Sequence, residues 1–523
     1  MHGLTSSRWW ARGGRRGSAY HSVMTTELRP RSRCVRWCAA ALCATLALAP
    51  PAALAQIDNL PKLGDASGDE LSPAKERALG ESIMRQIRRD SAYLDDAELV
   101  DYLNRVAAPL MATPAAAGHS FEFFAVDDGA INAFALPGGF IGVHSGLIMA
   151  SESESELASV LAHEIGHVTQ RHVARMLAQQ KQISMVSMAA MILALLAARS
   201  NPQAAMGGVM LGEQLSRANM LSFSRDAERE ADRVGFEMLR QAGFDVQSMV
   251  SFFNRLQLAS RFYETNAPAY MRTHPVTGER IADMQARLRE TRYRQRPDSF
   301  EYLLLRARLR TTADESVDGR RVARASAEQY LADNPQAESQ SWFGLASIAA
   351  AQRDWPRFEQ ALARARTLHG KPHPYFDRLA ATSRLEAGDA RGAAELARQG
   401  LVQFPDSRAL VRVRAEALIA AGQSAEAAAL LKDQLVVWRS DARLWQLMAQ
   451  AQGKLEQRAE AHRAAAERFV LLGSAVAAVD QLRIAQRAND TDFYTASIID
   501  ARLRELEPLA RREIEESKQM PRQ

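Results

Sequence analysis

Helical and alternating hydrophobic patterns succeed one another in the first part of the chain. The segments "PAKERALGESIMRQIRRD", from Pro73, and "DAELVDYLNRVAAPLMA", from Asp96, place apolar residues at helical spacing, and Ser72 before a proline favours a helix start. The segments "SFEFFAVDD", "INAFALPGG" and "FIGVHSGLI" then alternate or run apolar between Asp, Gly and Pro residues. These patterns predict helices followed by a small sheet.

A longer helical pattern, "ELASVLAHEIGHVTQRHVARMLAQ", follows the predicted strands. Its apolar positions on one side of a helix are Leu157, Val160, Leu161, Ile165 and Val168. The next stretch, Ile183 to Ala198, carries no charge and is shorter than the ~20 residues of a membrane span. It predicts a buried helix or an interfacial helix that touches a membrane.

The pattern becomes helical throughout from about residue 300. Segments that begin at Tyr375 and Ala409 align 34 residues apart, and Gly388 and Gly422 match at the turn between the helices. A later copy has Glu456 where the glycine is expected. This period resembles that of tetratricopeptide repeats. Such repeats resemble scaffolds that bind peptides and proteins, so a binding role is expected; the alternative is a helical domain with a structural role alone.

Length and charge narrow the possible classes of protein. A chain of 523 residues is too long for a single core. The net charge of +5 arises in residues 1–55, which hold eight arginines and one glutamate, so the remainder carries −2. This balance gives no electrostatic case for nucleic-acid binding. The expected divisions are residues 1–55, 56–295 and 296–523.

Residues 1–55 are typical of a targeting segment. A basic flank precedes the apolar run "CAAALCATLALA", and the stretch ends in the small-x-small sequence Ala53-Leu54-Ala55. Secretion to a bacterial periplasm, with cleavage after Ala55, is expected; the alternative is uncleaved membrane anchoring. All three cysteines lie in this segment, so the mature chain has no thiolate ligand.

The sequence "HEIGH", His163 to His167, contains the first candidate for chemistry. Positions four apart share a helical face, so the two imidazoles could bind one zinc ion, leaving a position open for water. Glu164 would then accept the proton as water attacks a carbonyl. The alternative is two polar residues on an ordinary amphipathic helix.

A second helical segment, "FSRDAEREADRVG", could supply the missing ligand. Glu228 and Asp232 are four apart and could share the face that meets the first helix. Glu228 would complete a two-histidine, one-carboxylate set, and Asp232 would orient a ligand histidine. Asp226 and Glu230 fit a solvent-facing role.

These motifs resemble the HtpX and prenyl-protein-protease family of zinc metallopeptidases. With the signal peptide and the repeats, the arrangement is similar to that family's periplasmic members that assist β-barrel assembly. The resemblance implies an α+β zincin-like metallopeptidase domain, mostly helical with a small sheet, followed by an all-α tetratricopeptide solenoid. It implies one zinc ion per chain bound by His163, His167 and Glu228. Glu164 would be the base, with Asp232 a proton donor or a support.

The strand after the Gly-Gly turn is a candidate for substrate pairing. We expect an edge strand formed by Phe140, Ile141, Gly142 and Val143, which could pair with a substrate backbone and present a peptide bond to the metal. His144, at its end, is interpreted as structural.

His274 and Arg280 lie in a loop sequence, "YMRTHPVTGER", that could reach the zinc. His274 could be a fourth ligand that displaces the water and holds the enzyme latent, a donor to the developing oxyanion, or a structural residue. Arg280 is a possible substrate contact. The remaining histidines match no metal spacing, and His172 is interpreted as a surface residue.

The expected function is that of a secreted zinc-dependent endopeptidase. The resemblance implies quality control and assembly of outer-membrane β-barrel proteins. Unfolded or stalled outer-membrane proteins would be its substrates, and the repeats could contact the β-barrel assembly machinery. The alternative is a repeat-based periplasmic chaperone or adaptor with a largely latent peptidase domain. Hydrolysis of a non-peptide substrate at the same zinc is a further alternative.

Overall fold

The computed structural model of the chain describes residues 71–179, 224–262, 269–336 and 338–519. All of these residues fall within one compact unit. The predicted targeting segment, residues 1–55, and the apolar stretch Ile183 to Ala198 lie outside the described residues. The predicted division at residues 295 and 296 falls between two helices, in a segment without regular structure, and stays a prediction.

Helices and short strands alternate in the first part of the described chain. The elements up to the first gap are α1 (Pro73–Ile87), β1 (Tyr93–Leu94), α2 (Ala97–Met111), β2 (Glu122–Val126), β3 (Ala133–Leu136), β4 (Phe140–His144), α3 (Ser145–Ala150), α4 (Glu154–Thr169) and α5 (His172–Gln179). After the gap come α6 (Arg225–Gln241), α7 (Gln247–Phe262), α8 (Ala269–Thr273) and α9 (Gly278–Arg289). Ser72 caps α1 through the Lys75 amide, as its sequence predicts.

The four strands form one mixed sheet in the order β1-β2-β4-β3. β4 runs parallel to β2 and antiparallel to β3, with Gly142 opposite Phe124 on one side and Phe134 on the other. Every residue of β4 is buried. The predicted substrate edge strand, formed by Phe140, Ile141, Gly142 and Val143, is therefore wrong. Strand order depends on tertiary pairing, and the free edge beside β4 belongs to β3.

The predicted long helix over residues 156–179 is broken into two helices. α4 ends at Thr169, and α5 begins at His172 after Arg171 adopts a left-handed conformation with φ 51°. The Arg171 guanidinium donates to the Glu76 carboxylate at 2.9 Å and to the Leu71 carbonyl at 2.6 Å. These contacts with α1 and with the segment just before it hold a backbone conformation that a residue with a side chain rarely adopts.

The rest of the described chain is a stack of antiparallel helices. They are α10 (Phe300–Thr312), α11 (Val317–Asp333), α12 (Ser339–Ala351), α13 (Trp355–His369), α14 (Pro374–Glu386), α15 (Ala390–Gln403), α16 (Arg408–Ala420), α17 (Ser424–Val437), α18 (Ala442–Lys454), α19 (Arg458–Leu471), α20 (Ala475–Gln486) and α21 (Phe493–Gln519). Gly388 and Gly422 both have positive φ at their turns, and Glu456 keeps that conformation without being glycine. The 34-residue register therefore survives the substitution.

The helical stack contacts the first part of the chain through a charged seam. Glu98, buried at the start of α2, accepts two hydrogen bonds from Arg378 at 3.0 and 2.8 Å and lies 3.2 Å from Arg308. Arg408 pairs with Asp101 at 2.7 Å in the same region. The first part of the chain and the helical stack are thus joined by ion pairs, of which those of Glu98 are buried, rather than by a linker alone.

No helix in the residues that the structure describes is long and apolar enough to cross a lipid bilayer.

The seam should be a large contributor to stability. Replacing Glu98 by Gln leaves the Arg378 guanidinium without its carboxylate and Arg308 with Asp96 alone, which we expect to cost about 3 kcal/mol in the free energy of unfolding. Urea denaturation followed by circular dichroism measures the change. Glu395→Gln, which removes an exposed pair with Arg398, is the matched control and should change little. Equal effects of the two substitutions would contradict the importance of the seam.

Candidate metal centre

The site is built where α4 and α6 cross at very short range. A Cβ on Gly166 would lie 3.0 Å from the Ala231 carbonyl oxygen, and a Cβ on Gly235 would lie 3.0 Å from the His163 amide nitrogen. Both neighbours are backbone atoms of the opposing helix, so they cannot move aside as a flexible side chain would. Two glycines therefore permit the approach that brings the side chains of the two helices together.

The crossing gathers the predicted ligands into one buried cluster. His163 and His167, on α4, place their Nε2 atoms 2.9 Å apart. The carboxylate of Glu228, on α6, lies 3.5 Å from each of these nitrogens. His274, just after α8, brings Nδ1 to 2.9 Å from Glu228 Oε1 and to 3.4 Å from His163 Nε2. One ligand atom from each of the four residues lies within 4.8 Å of all the others.

These separations fit a divalent metal ion. Tetrahedral zinc with bonds of about 2.0–2.1 Å places neighbouring ligand atoms roughly 3.3 Å apart, and the measured distances scatter around that value. Two imidazole nitrogens that face each other at 2.9 Å also repel unless a proton or a cation lies between them. The donor set of nitrogen and carboxylate oxygen suits zinc.

Asp232 and Arg280 form a buried support behind His163. The Nδ1 atom of His163 lies 2.9 Å from Asp232 Oδ1, which fixes the ring with Nε2 towards the cluster. Arg280 donates to both oxygens of Asp232, at 2.6 and 2.8 Å, and its third nitrogen lies 2.7 Å from Glu228 Oε2. The guanidinium of Arg280 is thus buried and used within the protein, so the structure does not favour a substrate contact.

His172 lies against the cluster and not on the surface, so its interpretation as a surface residue is wrong. It is buried, with Nδ1 at 2.8 Å from His167 Nδ1 and Nε2 at 3.0 Å from Glu230 Oε2. Glu230 is half-exposed and pairs with His172 rather than facing only solvent, whereas Asp226 is exposed as expected. No sequence pattern pointed to His172, because an unbroken helix would have turned it away from His167.

Glu164 and Tyr270 complete the surroundings of the cluster. Both Glu164 carboxylate oxygens are buried, and Oε1 lies 3.6 Å from His274 Nε2. Tyr270, which the sequence analysis missed, stacks on the His274 ring with centroids 4.7 Å apart. It precedes His274 by four residues, a helical spacing that could have indicated it.

Charges in the cluster favour a cation. Burial alone would lower the pKa of His163, but the carboxylates of Asp232 and Glu228 raise it to about 9. Burial would raise the pKa of Glu228, yet His274, with hydrogen bonds from His163 and His167, holds it well below 4.5. Burial raises the pKa of Glu164 and lowers that of His167. The site therefore attracts positive charge, which a metal ion would supply.

His144 has the structural surroundings that were expected for it. Its ring is buried in the sheet, with Nδ1 at 3.4 Å from Asp128 and the ring edge against Phe134. Among the described residues, the cluster of His163, His167, Glu228 and His274 is the group with metal-ligand geometry.

Comparisons with known proteins match two separate parts of the chain. The model of Peptidase family M48 matches residues 94–288, and the model of a tetratricopeptide repeat matches residues 384–451. The fold class expected from the sequence, a metallopeptidase domain followed by repeats, is confirmed. The family implies a metal, and the repeats indicate protein–protein interaction.

Curated relatives match up to about half of the chain. The beta-barrel assembly-enhancing protease of Escherichia coli strain K12 is 35% identical over 264 residues, which are 50% of this chain and 54% of that protein. The Yersinia pestis protein of the same name is 35% identical over 252 residues, 48% of this chain and 52% of its own. The mitochondrial metalloendopeptidase OMA1 of Schizosaccharomyces pombe is 30% identical over 194 residues, which are 37% of this chain and 54% of that protein. The chain thus spans about half the length of the curated relatives it matches.

These matches confirm the expected resemblance to metalloendopeptidases that assist β-barrel assembly. The relatives are bacterial in part, which is consistent with a periplasmic location.

The helix crossing can be tested at Gly235. An added methyl group in Gly235→Ala would push α6 away from the backbone at Ala162 and His163, which we expect to cost about 1–3 kcal/mol of stability and to weaken zinc binding. Thermal unfolding and zinc titration measure both effects. Gly453→Ala, on α18, is the control because its Cβ would point into open space. Unchanged zinc affinity in Gly235→Ala would contradict the proposed constraint.

Proposed function

We propose that the chain is a secreted zinc-dependent endopeptidase that acts on outer-membrane β-barrel proteins. The observation that carries this proposal is the buried set His163, His167, Glu228 and His274, with Glu164 beside it. His163, His167 and Glu228 would hold one zinc ion per chain, and Asp232 would keep His163 oriented. The family match and the protease names of the relatives support the same reading.

Zinc bound in this cluster would supply a Lewis acid that activates a water molecule and polarises the scissile carbonyl. Glu164 accepts the proton of the attacking water and delivers it to the amine that leaves. Burial raises the pKa of the Glu164 carboxyl group. This suits a group that first takes a proton from water and then gives it to the leaving amine. Asp232 acts as a support and not as a proton donor, because Arg280 and His163 hold its pKa below 3.8 against the effect of burial.

The substrate backbone would pair with β3, whose outer edge is unpaired within the described sheet. β3 packs against α4, which carries His163 and Glu164. A substrate strand added at Ala133–Leu136 would thus lie beside the reactive groups, with main-chain hydrogen bonds fixing its position. This location replaces the edge strand expected at β4.

His274 would hold the enzyme latent. Its Nδ1 atom stands at the fourth corner of the cluster, and its Nε2 atom faces Glu164. The imidazole therefore fills the space in which water would meet the base. Activation then requires His274 to withdraw, together with Tyr270, which is stacked on it.

The sequence and the relatives support the proposed location and partners. The basic-then-apolar start, residues 1–55, supports export to the periplasm with cleavage after Ala55. Unfolded or stalled outer-membrane proteins are the proposed substrates, because the bacterial relatives are named for β-barrel assembly. The repeats would select these substrates or contact the assembly machinery, and Ile183 to Ala198 would touch the membrane surface.

A second candidate function is that of a repeat-based periplasmic chaperone or adaptor with a largely latent peptidase domain. The position of His274 in the cluster favours it, since a site closed by its own side chain would bind a client without cleaving it.

Replacing the base distinguishes the two functions. In Glu164→Gln, peptide cleavage should fall by about 10²–10⁴-fold because the proton acceptor is lost, while the zinc content stays that of the unsubstituted chain. Cleavage of an unfolded outer-membrane protein is followed by gel electrophoresis, with zinc determined by elemental analysis. Zinc-independent client binding by both proteins, without cleavage in either, would favour the chaperone.

Removing the proposed latency ligand should increase activity. If His274 closes about nine sites in ten, His274→Ala raises the initial rate of cleavage roughly tenfold, because the competent fraction becomes the whole. His119→Ala, at an exposed histidine in a loop, is the control. A rate that is unchanged or lost in His274→Ala would rule out the latency role.

A further inference from the structure

A histidine outside the ligand set lies directly behind one of the proposed ligands. His167 turns Nε2 towards Glu228, so its other nitrogen, Nδ1, points away from the cluster. That nitrogen lies 2.8 Å from Nδ1 of His172. The side chain of His172 is 1% exposed, so the contact is shielded from water and its geometry is set by packing.

The hydrogen-bond polarity of this contact follows from the chemistry of the two rings. If His167 offers a lone pair at Nε2 to a metal ion, its proton must be on Nδ1 and needs an acceptor. His172 can accept it at Nδ1 only if its own proton is on Nε2. That proton has an acceptor in Glu230 Oε2, at 3.0 Å. Arg175 Nη1 donates to the same oxygen at 2.9 Å and fixes the carboxylate.

The turn between α4 and α5 makes the contact between His167 and His172 possible. In a continuous helix, His172 would follow His167 by five residues and would lie off its face. The left-handed conformation of Arg171 ends α4 and starts α5 at His172, which turns the imidazole back onto His167. The tether from Arg171 to Glu76 and Leu71 stabilises the strained turn.

The two ligand histidines are therefore supported in different ways. His163 meets a fully buried carboxylate directly, that of Asp232. His167 reaches a half-exposed carboxylate, that of Glu230, only through the imidazole of His172. The imidazole of His172 thus links His167 to a carboxylate through two hydrogen bonds, where His163 meets its carboxylate through one.

We propose that His172 is a positioning residue that fixes the tautomer and the orientation of His167, with Glu230 and Arg175 orienting His172 in turn. This inference rests on the proposed zinc site and deepens it. It predicts that the protein holds zinc more weakly when the acceptor behind His167 is removed, even where the shape of the side chain is kept.

Paired variants of His172 test the proposal. His172→Leu fills most of the space without an acceptor, whereas His172→Gln offers an amide oxygen to His167 and an amide N–H to Glu230. The probe is zinc alone, added to metal-free protein in competition with a chromophoric chelator. Removing an outer-shell partner should weaken zinc binding by about 10- to 100-fold in His172→Leu. The affinity of His172→Gln should stay close to that of the unsubstituted chain.

Two controls separate positioning from a merely structural role. The melting temperatures of the metal-free His172→Leu and His172→Gln proteins should be alike, because neither change alters the packing much. His119→Leu removes an exposed histidine and should leave zinc affinity unchanged. Equal weakening in His172→Leu and His172→Gln, or no weakening in His172→Leu, overturns the proposal.

A variant at Glu230 keeps the test decisive if His172→Leu does not fold. Glu230→Leu removes the acceptor of the His172 Nε2 proton at a half-exposed position and should weaken zinc binding in the same direction but less; unchanged affinity would overturn the proposal. Failure of the proposed function has a different signature, since the unsubstituted chain would then bind no zinc or cleave nothing. A failure of the positioning role alone leaves zinc binding and cleavage intact in the unsubstituted chain.

Discussion

The close crossing of α4 and α6 is the constraint on which the rest of the site depends. Two of the proposed ligands, His163 and His167, lie on one helix, but the third, Glu228, comes from a helix that is distant in sequence. Gly166 and Gly235 let the two backbones approach within contact of each other's main-chain atoms. A methyl group at either position would lie 3.0 Å from main-chain atoms of the opposing helix and would push the two helices apart. The lack of a Cβ at Gly166 and Gly235 therefore permits the arrangement of side chains in the site.

Around that crossing, the protein places charges that water cannot screen. Glu228, Asp232 and Arg280 are buried together, and each carboxylate has a cationic or hydrogen-bonding partner within the described residues. Burying charged groups costs free energy unless they are paired. Removing any one of them would therefore leave a buried charge unpaired and destabilise the fold. The same network orients His163, while His172 and Glu230 orient His167. Rigidity of the ligands and stability of the core are therefore achieved by the same contacts.

Much of this arrangement could be predicted from sequence because it follows helical periodicity. His163 and His167, and likewise Glu228 and Asp232, are four residues apart and share faces. The Gly388 and Gly422 register likewise predicted the repeats. What could not be predicted depends on tertiary structure. The order of strands put β4 inside the sheet, and the left-handed turn at Arg171 brought His172 to His167, although arginine gives no local indication of such a turn.

We infer that four side chains from three parts of the chain, two of them on α4, converge on one metal ion. X-ray absorption spectroscopy of the zinc-loaded chain tests it most directly. We expect four light-atom neighbours at about 2.0–2.1 Å, with the multiple-scattering pattern of imidazole. We expect fewer imidazoles in the His274→Ala protein. A six-coordinate, all-oxygen shell without imidazole scattering would contradict it, because zinc would then be bound elsewhere on the protein.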